Sequence, residues 1–420
     1  MAKKVFTVAI CGCGARGANA YGKLCFEMKD KYKIVSLLDV NPVKLVKYGS
    51  EFEVPEEDRF DNEEEFFKKK RADLLIIGTL DKEHTRQCIK ALEVGYDILL
   101  EKPITDKKED CYEILEAQKK YGGKVLVCHV LRYAPAFLKT AELLNNGAVG
   151  RLVNIQAIER VGFWHQAHSY VRGNWRISEE TTPMILAKCC HDLDLLQYYA
   201  NSKCESISSI GDLTFFTPEN APEDASKTCL DCKYVDTCSY SAKRIYIEWW
   251  KESNGGDRWP QNVLTTKPLT ESVINEALKT GPYGRCVFAC DNNVVDHQLV
   301  NMTFENGVKA TLTMTAFSST TGRIISFFGT QGELVLDETE ECIKVRPFNG
   351  PEEKILFGNL NEQGYGHGGG DFGLINTLYS ILRGEETCRT GLESSIESHL
   401  MGICAEESRK KGGELIYIRK

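Results

Sequence analysis

The first part of the chain alternates short apolar runs with amphipathic stretches. The apolar runs predict buried strands at Val5–Ile10, Ile34–Leu38, Asp73–Ile77, Asp97–Leu100 and Lys124–Val127. Between them, apolar residues recur at helical spacing, as they do in His84–Val94. Strands that alternate with helices predict a parallel sheet with helices on both faces, and such sheets bind ligands at the carboxyl ends of their strands.

After Gly150 the pattern changes to longer strands in which apolar and polar residues alternate. These strands are predicted at Leu152–Arg160, Ile207–Phe216, Val295–Phe304, Lys309–Phe317 and Ile324–Phe328. The sequence FENGVKATLTM places an Asn-Gly turn between two of them, which is typical of a hairpin. This part of the chain is therefore expected to form a large open, mainly antiparallel sheet.

Three glycines follow the first predicted strand, in the sequence TVAICGCGARGANA. Gly12 fits a tight turn, Gly14 a close approach of backbone N–H groups to a pyrophosphate, and Gly17 a close packing of helix on strand. Arg16 lies within the loop, and Asp39 ends the next strand, where it could bind the ribose hydroxyls. The residues after Asp39 are VNP, without a nearby base, which favours NAD over NADP. The alternative is a glycine turn in an unrelated α/β unit.

The predicted fold class is α/β, with an N-terminal Rossmann domain built on a doubly wound parallel sheet. A C-terminal α+β domain with the antiparallel sheet follows. We predict the domains at residues 1–128 and 129–420, with an insert at 218–290.

Composition narrows the function classes. A chain of 420 residues with 42% hydrophobic and 27% charged residues is typical of a soluble protein of two domains. The net charge of -8, with scattered basic residues, argues against a nucleic-acid partner. The first residues, MAKKVFTVAI, lack the features of a signal peptide, and no apolar run reaches the ~18 residues of a membrane span. Most of the 17 cysteines are scattered singly, which indicates free thiols and a cytoplasmic protein without a membrane partner.

The sequence DILLEKPIT, after HTRQCIKALEVGY, resembles the Gfo/Idh/MocA oxidoreductases, the family of glucose–fructose oxidoreductase and inositol dehydrogenase. The resemblance implies that Lys102 lies beside the nicotinamide and the substrate hydroxyl, with Glu101 at the cofactor. It also places Thr79 and His84 among the cofactor-binding residues. A lysine at a strand end can be partly desolvated, which would lower its pKa, although a lone lysine is more often solvated.

The sequence TTPMILAKCCHDLDLLQYY predicts a helix capped by Thr182 with Pro183 at its first position. His191 and Asp194 share a face of that helix. In the family resembled, such a helix carries Asp-x-x-x-His-x-x-Asp, so the resemblance implies that His191 is the catalytic acid/base and Asp194 a substrate contact. Ala187 replaces the first aspartate, which leaves the substrate and the reaction type open. The alternative for His191 is a core histidine bonded to a carbonyl.

An aromatic stretch, GFWHQAHSYVRGNWRIS, suits a sugar, because aromatic faces stack on C–H groups and fixed donors bind hydroxyls. His168, Arg172 and Trp175 are the predicted substrate contacts, together with His129 after the last parallel strand. A packing role at a domain interface is the alternative. The loop GHGGGD could border the cleft, with His367 as its candidate contact.

The insert contains Cys229-x2-Cys232-x5-Cys238, a spacing that suggests a metal clip. A structural zinc is the predicted occupant, with an iron–sulfur cluster or three free thiols as alternatives. The fourth ligand is open between Cys204, Cys286, Cys290 and several histidines.

Taken together, these residues predict an NAD-dependent dehydrogenase of a small-molecule sugar or polyol. The second hypothesis is an NAD-dependent glycosidase that oxidises C3 transiently and cleaves by β-elimination. A third is a cofactor-binding regulator without catalysis. By resemblance, the protein is expected to be a homodimer or homotetramer.

Overall fold

The computed structural model describes residues 4–360 and 366–419. Its first sheet has six parallel strands: β1 (Phe6–Cys11), β2 (Tyr32–Leu38), β3 (Arg59–Phe60), β4 (Leu74–Ile77), β5 (Asp97–Leu100) and β6 (Val125–Val127). They lie in the order β3-β2-β1-β4-β5-β6, so the sheet extends in opposite directions from β1 and β4. The doubly wound parallel sheet is confirmed, and the junction of β1 and β4 is the edge position where such sheets bind ligands.

Helices cover both faces of this sheet. A π-helical stretch, Ala15–Gly22, leads into α1 (Lys23–Glu27) and is followed by α2 (Pro42–Glu51), α3 (Glu63–Phe66), α4 (His84–Glu93), α5 (Lys108–Tyr121) and α6 (Pro135–Asn145). Helix α2 begins where Asn41 Oδ1 accepts the Val43 N–H, with Pro42 at the first helical position. This capped start fixes the direction of the chain directly after Asp39.

The second sheet has nine strands. They are β7 (Leu152–Arg160), β8 (Cys204–Asp212), β9 (His297–Phe304), β10 (Lys309–Thr315), β11 (Gly322–Gly329), β12 (Gly332–Asp337), β13 (Cys342–Pro347), β14 (Glu353–Leu356) and β15 (Ile416–Tyr417). Their order is β14-β13-β12-β11-β7-β10-β9-β8-β15. Strands β7 and β10 pair in parallel and the other neighbours are antiparallel, which confirms the open, mainly antiparallel sheet.

The end of β8 differs from the prediction, which extended that strand to Phe216. The strand ends at Asp212, because the next backbone donors turn to a side chain. The N–H groups of Thr214 and Phe215 donate to the Asp296 carboxylate at 2.9 and 2.8 Å. The buried Asp296 carboxylate therefore accepts the N–H groups that a partner strand would otherwise bind.

The remaining helices are α7 (Phe163–His165), α8 (Met184–Ala187), α9 (Cys190–Ala200), α10 (Trp249–Glu252), α11 (Glu271–Thr280), α12 (Gly370–Leu382) and α13 (Leu392–Lys410). Helices α9 and α13 pack on the nine-stranded sheet. Helix α12 instead returns to the first sheet, where the Tyr32 hydroxyl donates to the Ile375 carbonyl at 2.8 Å. Leu374, Ile375 and Leu378 are fully buried there. The proposed boundary between residues 128 and 129 stays a prediction.

The predicted insert, residues 218–290, has an apolar core of its own. Tyr246, Ile274 and Leu278 pack together with Ala167 and Val171 of the aromatic stretch. The insert is thus fastened to the segment that precedes α8. In the described part of the chain, no helix combines the length and the apolarity that crossing a membrane requires.

Candidate active site

The glycine loop joins β1 to the first helical stretch at the ligand-binding edge. Gly12 has φ +91°, and a Cβ there would lie 2.6 Å from the Gly78 carbonyl. A Cβ on Gly17 would lie 2.1 Å from the Gly12 oxygen, whereas one on Gly14 would meet nothing within 4 Å among the described residues. No side chain caps the helical stretch that begins at Ala15. The loop is therefore tight where helix meets strand and open at Gly14, where a phosphate could approach backbone N–H groups.

Asp39 ends β2 beside this loop, and its carboxylate is held in place. Its oxygens accept the Cys13 N–H at 2.7 Å and the Asn41 N–H at 2.8 Å. The Lys44 ammonium lies 3.6 Å from the carboxylate, a basic neighbour that the adjacent sequence VNP did not reveal. These two backbone N–H groups therefore hold the Asp39 carboxylate in one orientation.

Arg16 and Glu101 form one ion-pair cluster at the mouth of the loop. Arg16 Nε lies 2.9 Å from Glu101 Oε1, and Arg16 Nη2 lies 2.7 Å from Asp371 Oδ1 at the start of α12. The Tyr21 hydroxyl donates to the same Glu101 oxygen at 2.6 Å. The arginine thus connects the ends of β1 and β5 to the returning helix.

Lys102 follows β5, and its ammonium donates to the Ala187 carbonyl at 3.2 Å. The pKa of Lys102 lies above its ordinary value. Burial alone would lower it, but interactions with Cys190, Glu101 and Asp81 outweigh that effect and raise it. The expectation of a lowered pKa was therefore wrong, because the adjacent Glu101 and Asp81 after β4 favour the charged ammonium. Lys102 is a charged hydrogen-bond donor here rather than a free base.

The two other residues assigned to the cofactor hold the strand ends in place. His84 is buried, with Nδ1 at 2.7 Å from the Pro103 carbonyl and Nε2 at 3.2 Å from the Thr79 carbonyl. The Thr79 hydroxyl donates to Gln87 Oε1 at 2.6 Å. Both ring nitrogens of His84 are engaged with the backbone, so the histidine joins the segments that follow β4 and β5.

His191 lies at the start of α9 and close to Lys102. Its ring centroid is 6.1 Å from that of His367 and 6.0 Å from that of His129. Burial, with the positive charge of Lys102, holds its pKa well below the ordinary value. Its Nδ1 is buried and has no hydrogen-bond partner among the described residues. His191 is therefore a neutral imidazole at pH 7, with the ring of His367 beside it.

Behind His191, Asp194 and Arg132 form a buried bidentate pair. Asp194 Oδ2 accepts from Arg132 Nε and Oδ1 from Nη2, each at 2.7 Å. His129 Nε2 lies 3.8 Å from Asp194 Oδ1, and burial lowers the pKa of His129 to about 4. His129 is fully buried, and Asp194 is occupied by the arginine. The predicted substrate contacts at 129 and 194 therefore form the layer behind His191.

We expect Asp194→Asn to lower the free energy of unfolding by about 3–5 kcal/mol, because it leaves the buried Arg132 charge uncompensated. Asp291→Asn is the matched control, since Asp291 pairs with Arg176 at 2.8 Å but is 54% exposed. The control should lose at most about 1 kcal/mol. Urea unfolding followed by circular dichroism measures both, and equal losses in the two variants would contradict the assignment.

The helix that was predicted to run from Thr182 is broken. Helix α8 ends at Ala187 and α9 begins at Cys190. Thr182 does not cap it: its hydroxyl donates to Asp81 Oδ2 at 2.8 Å. Trp175 Nε1 donates to the same oxygen at 3.1 Å. Trp175 thus joins the two domains through Asp81, a residue that the sequence marked only by its position after β4.

Lys188, in the break between the two helices, forms an ion pair with the second sheet. Its ammonium lies 2.7 Å from Glu159 Oε1 on β7. Arg323 of β11 pairs with the other Glu159 oxygen at 2.9 Å and with Asp192 Oδ1 at 2.8 Å. This buried network anchors the start of α9 to the second sheet and so positions His191.

Two predicted substrate contacts belong to the packing of the insert instead. His168 Nδ1 lies 2.7 Å from the Tyr246 hydroxyl, and the His168 ring stacks on Tyr283 at 4.9 Å. Arg172 is fully buried and donates from Nη2 to the Tyr240 carbonyl at 2.7 Å. The structure therefore corrects both assignments, and the packing alternative applies to them.

His165, in the same stretch, was not among the predicted contacts. Its pKa lies well below the ordinary value because of burial and the positive charges of Lys188 and Lys102. Its ring lies 4.9 Å from that of Trp259 in the insert. His165 is thus a neutral imidazole within electrostatic reach of Lys102. In the sequence, only its place among aromatic residues pointed to it.

The cysteines of the insert do not form the predicted zinc site. Within residues 4–360 and 366–419, no group of three or more His, Cys, Asp or Glu side chains could hold a metal ion. Cys229 Sγ accepts hydrogen bonds from the Ala242 N–H at 3.3 Å and from Arg172 Nη2 at 3.6 Å. Cys232 and Cys238 are free thiols, like the other cysteines of the chain. A zinc at Cys229, Cys232 and Cys238 is therefore not supported.

Comparison with protein families gives two matches. A model described as the oxidoreductase family, NAD-binding Rossmann fold (GFO_IDH_MocA), matches residues 6–129. A second, described as the C-terminal alpha/beta domain of the same oxidoreductase family, matches residues 141–355.

Individual proteins show the same relationship. YteT of Bacillus subtilis, described as an oxidoreductase, is 25% identical over 408 residues, which cover 90% of this chain and 92% of YteT. The 2,7-anhydro-N-acetylneuraminate hydratase of Mediterraneibacter gnavus is 24% identical over 261 residues, 62% of this chain and 64% of the hydratase. The solved structure of a levoglucosan dehydrogenase with NADH and levoglucosan superposes with a TM-score of 0.72 at 14% identity, and covers 99% of this chain and 100% of that one. At that identity the likeness shows the fold.

Proposed function

Because the chain belongs to the Gfo/Idh/MocA oxidoreductase family, with its NAD-binding Rossmann domain, we propose that it is an NAD-dependent dehydrogenase of a sugar or polyol. The observation that carries the proposal is the convergence of Lys102 and His191 beside the glycine loop. A charged donor and a neutral base meet at the edge where the parallel strands end. That pair fits the removal of a hydroxyl proton from a carbon that loses hydride.

The residues present fit a dinucleotide. Gly14 is open to a pyrophosphate, and Asp39 is oriented for two ribose hydroxyls. Arg16 and Glu101 border the nicotinamide half, while Thr79 and His84 shape the strand ends. A 2′-phosphate beside Asp39 would meet its negative charge, which favours NAD over NADP. When bound, NAD supplies the acceptor for the hydride.

The chain's own groups handle the proton. The Lys102 ammonium donates a hydrogen bond to the substrate oxygen and stabilises the negative charge that grows on it. His191, neutral because its pKa is low, accepts the hydroxyl proton. The His129 ring packs edge-on against the imidazole at 6.0 Å, and the Asp194–Arg132 pair lies beside His129. His367, 40% exposed, faces the open side of the same cluster and is the candidate substrate contact there.

A second candidate function is a redox-neutral cleavage of a glycoside, with transient oxidation at C3 followed by β-elimination. Such a reaction needs one more base than a dehydrogenase does. His165, neutral and within electrostatic reach of Lys102, supplies one. A relative named as a hydratase of an anhydro sugar also fits a reaction without net oxidation.

The deciding experiment follows absorbance at 340 nm with NAD, over free sugars, inositols and aryl glycosides, and records aglycone release in parallel. NADH in proportion to a free sugar or polyol supports the dehydrogenase. Aglycone release over many turnovers without NADH supports the second candidate and overturns the first. Neither signal with any substrate would leave the cofactor-binding regulator as the remaining function.

We expect Asp39→Asn to weaken NAD binding by roughly tenfold or more, because a charged acceptor of ribose hydroxyls contributes about 1.5–3 kcal/mol. The ratio of NADP to NAD affinity should rise, since the repulsion of a 2′-phosphate is removed. Calorimetric titration with both dinucleotides measures this. Asp61→Asn, an exposed acid after β3, is the control and should leave both affinities unchanged. Unchanged NAD affinity in Asp39→Asn would refute the assignment of this carboxylate.

A homo-oligomer is proposed through the outer face of the second sheet. Ile158, Leu299 and Ile210 stand in one row across β7, β10, β9 and β8, with Thr313 between the first two. They are 37%, 43% and 55% exposed, respectively. An apolar row of this kind on a flat sheet suits the matching face of a second copy.

A further inference from the structure

The insert brings an aromatic cluster to the side of the candidate active site. Trp259 lies 5.1 Å from Trp164 and 4.9 Å from His165, measured between ring centroids. The rings of Trp164 and His165 stack at 5.7 Å. We call these three residues the aromatic wall. Although it touches both neighbours, Trp259 remains 41% exposed, so the wall has a free indole surface.

Two members of the aromatic wall, Trp164 and His165, follow β7 closely along the chain, and Glu159 on β7 lies 2.7 Å from Lys188 in the break before α9. The positive charge of Lys102 also acts on His165. Trp259 itself belongs to the insert, which packs on the aromatic stretch through a core of its own. The insert therefore adds Trp259 to the two aromatic residues that follow β7.

The segment that carries Trp259 also reaches the nucleotide domain. Asp257, two residues earlier, lies 3.6 Å from the Lys47 ammonium on α2. Helix α2 directly follows Asp39, so the segment crosses from the second domain to the adenosine side of the first. Held at one end by His165 and at the other by Lys47, the segment borders the space between the domains.

An exposed indole in this place has a specific chemical use. Aromatic rings offer a large, rigid apolar face, and the C–H face of a pyranose packs on such a surface. Trp259 keeps this face free, whereas Tyr246 in the insert core is fully buried. In the proposed function, Lys102 and His191 act on one sugar ring. The aromatic wall is then available to bind a second sugar ring.

We propose that Trp259, with Trp164 and His165, forms a second sugar-binding subsite, so that the substrate is a glycoside or disaccharide with two rings. One ring lies at Lys102 and His191, and the other stacks on Trp259. The inference rests on the proposed function for the first ring, and it names the substrate class that either candidate reaction would take.

The test compares disaccharides and p-nitrophenyl glycosides with their parent monosaccharides. Trp259→Ala should lower kcat/KM for the two-ring substrates by roughly three- to tenfold, with the monosaccharide constants changed by less than about twofold. Trp259→Phe should restore part of the loss, because it keeps an aromatic face. Phe348→Ala, which removes a 67% exposed ring beyond β13, is the control and should change neither. An equal loss on one- and two-ring substrates, or no loss, overturns the subsite.

A binding measurement separates this inference from the proposed function. If wild-type protein turns over no sugar, the proposed function fails. Calorimetric titration of the full-length protein with the same glycosides still tests the subsite. Weaker binding in Trp259→Ala than in wild type then supports it. Equal affinity in the two proteins, or no binding at millimolar glycoside, overturns it.

Discussion

Lys102→Met is expected to lower kcat by about 10²- to 10⁴-fold, the range that one positioned acid or base contributes. The substitution keeps an unbranched side chain of similar length and removes the charge. In the wild type, the Lys102 ammonium donates to the Ala187 carbonyl at 3.2 Å, and Glu101 and Asp81 help to keep it protonated. The loss should appear in kcat rather than in NAD affinity, because the stabilised charge develops on the substrate oxygen during the reaction.

The experiment measures kcat by NADH formation or aglycone release, whichever the wild type shows, and NAD affinity by calorimetry. Lys82→Met is the matched control, since Lys82 pairs with Asp106 at 2.5 Å near the surface. The control should keep kcat within about twofold, because exposed ion pairs contribute little. A Lys102→Met enzyme with the wild-type kcat would remove the lysine from the mechanism.

Through three buried histidines alone, acidification from pH 7 to pH 5 is expected to lower the free energy of unfolding by about 6 kcal/mol. Burial lowers the pKa of His129 to about 4, of His168 to about 3 and of His399 to about 3. In the unfolded chain, each binds a proton below about pH 6.5. The unfolded state therefore binds more protons in this range, and stability falls as the pH falls. At pH 5 each histidine contributes about 2 kcal/mol to the loss, a large part of a typical stability of about 5–15 kcal/mol.

Urea unfolding between pH 5 and pH 7.5 measures this slope. His168→Gln should reduce it by about 1.4 kcal/mol per pH unit, the share of one proton. Tyr246→Phe is the matched control, because it removes the hydroxyl 2.7 Å from His168 Nδ1 but keeps the histidine. The control should retain the steeper slope. If His168→Gln and the wild type share one slope, the histidine is not the source of the acid sensitivity.

The first sheet and its ligand edge could be predicted from the sequence, because short-range patterns encode them. The glycines and Asp39 follow strands at fixed spacing, and the structure places them together at the ends of β1 and β2. Strand β3, Arg59–Phe60, was missed since two residues carry no recognisable period. Strands end where backbone donors find other partners, as at Asp296, and no local pattern records that.

The rest of the candidate site depends on contacts between distant segments. His191 and Asp194 share one helix as expected, but the sequence did not reveal the break at Lys188, where the ammonium pairs with Glu159 on β7. The chemistry of Arg172 suited a sugar, yet its partners lie in the insert and bury it. The charge of Lys102 is kept by acidic groups from several segments. The residue type indicates which interactions a side chain can form, and the fold determines which partners it contacts.

The return of α12 to the first sheet has a consequence for biosynthesis. Leu374, Ile375 and Leu378 complete the apolar layer over β1 and β2, more than 300 residues after those strands leave the ribosome. Until they arrive, this face of the nascent sheet is uncovered and presents apolar surface to water. Exposed apolar surface is prone to aggregate, so we expect a chaperone to bind the growing chain until translation is nearly finished.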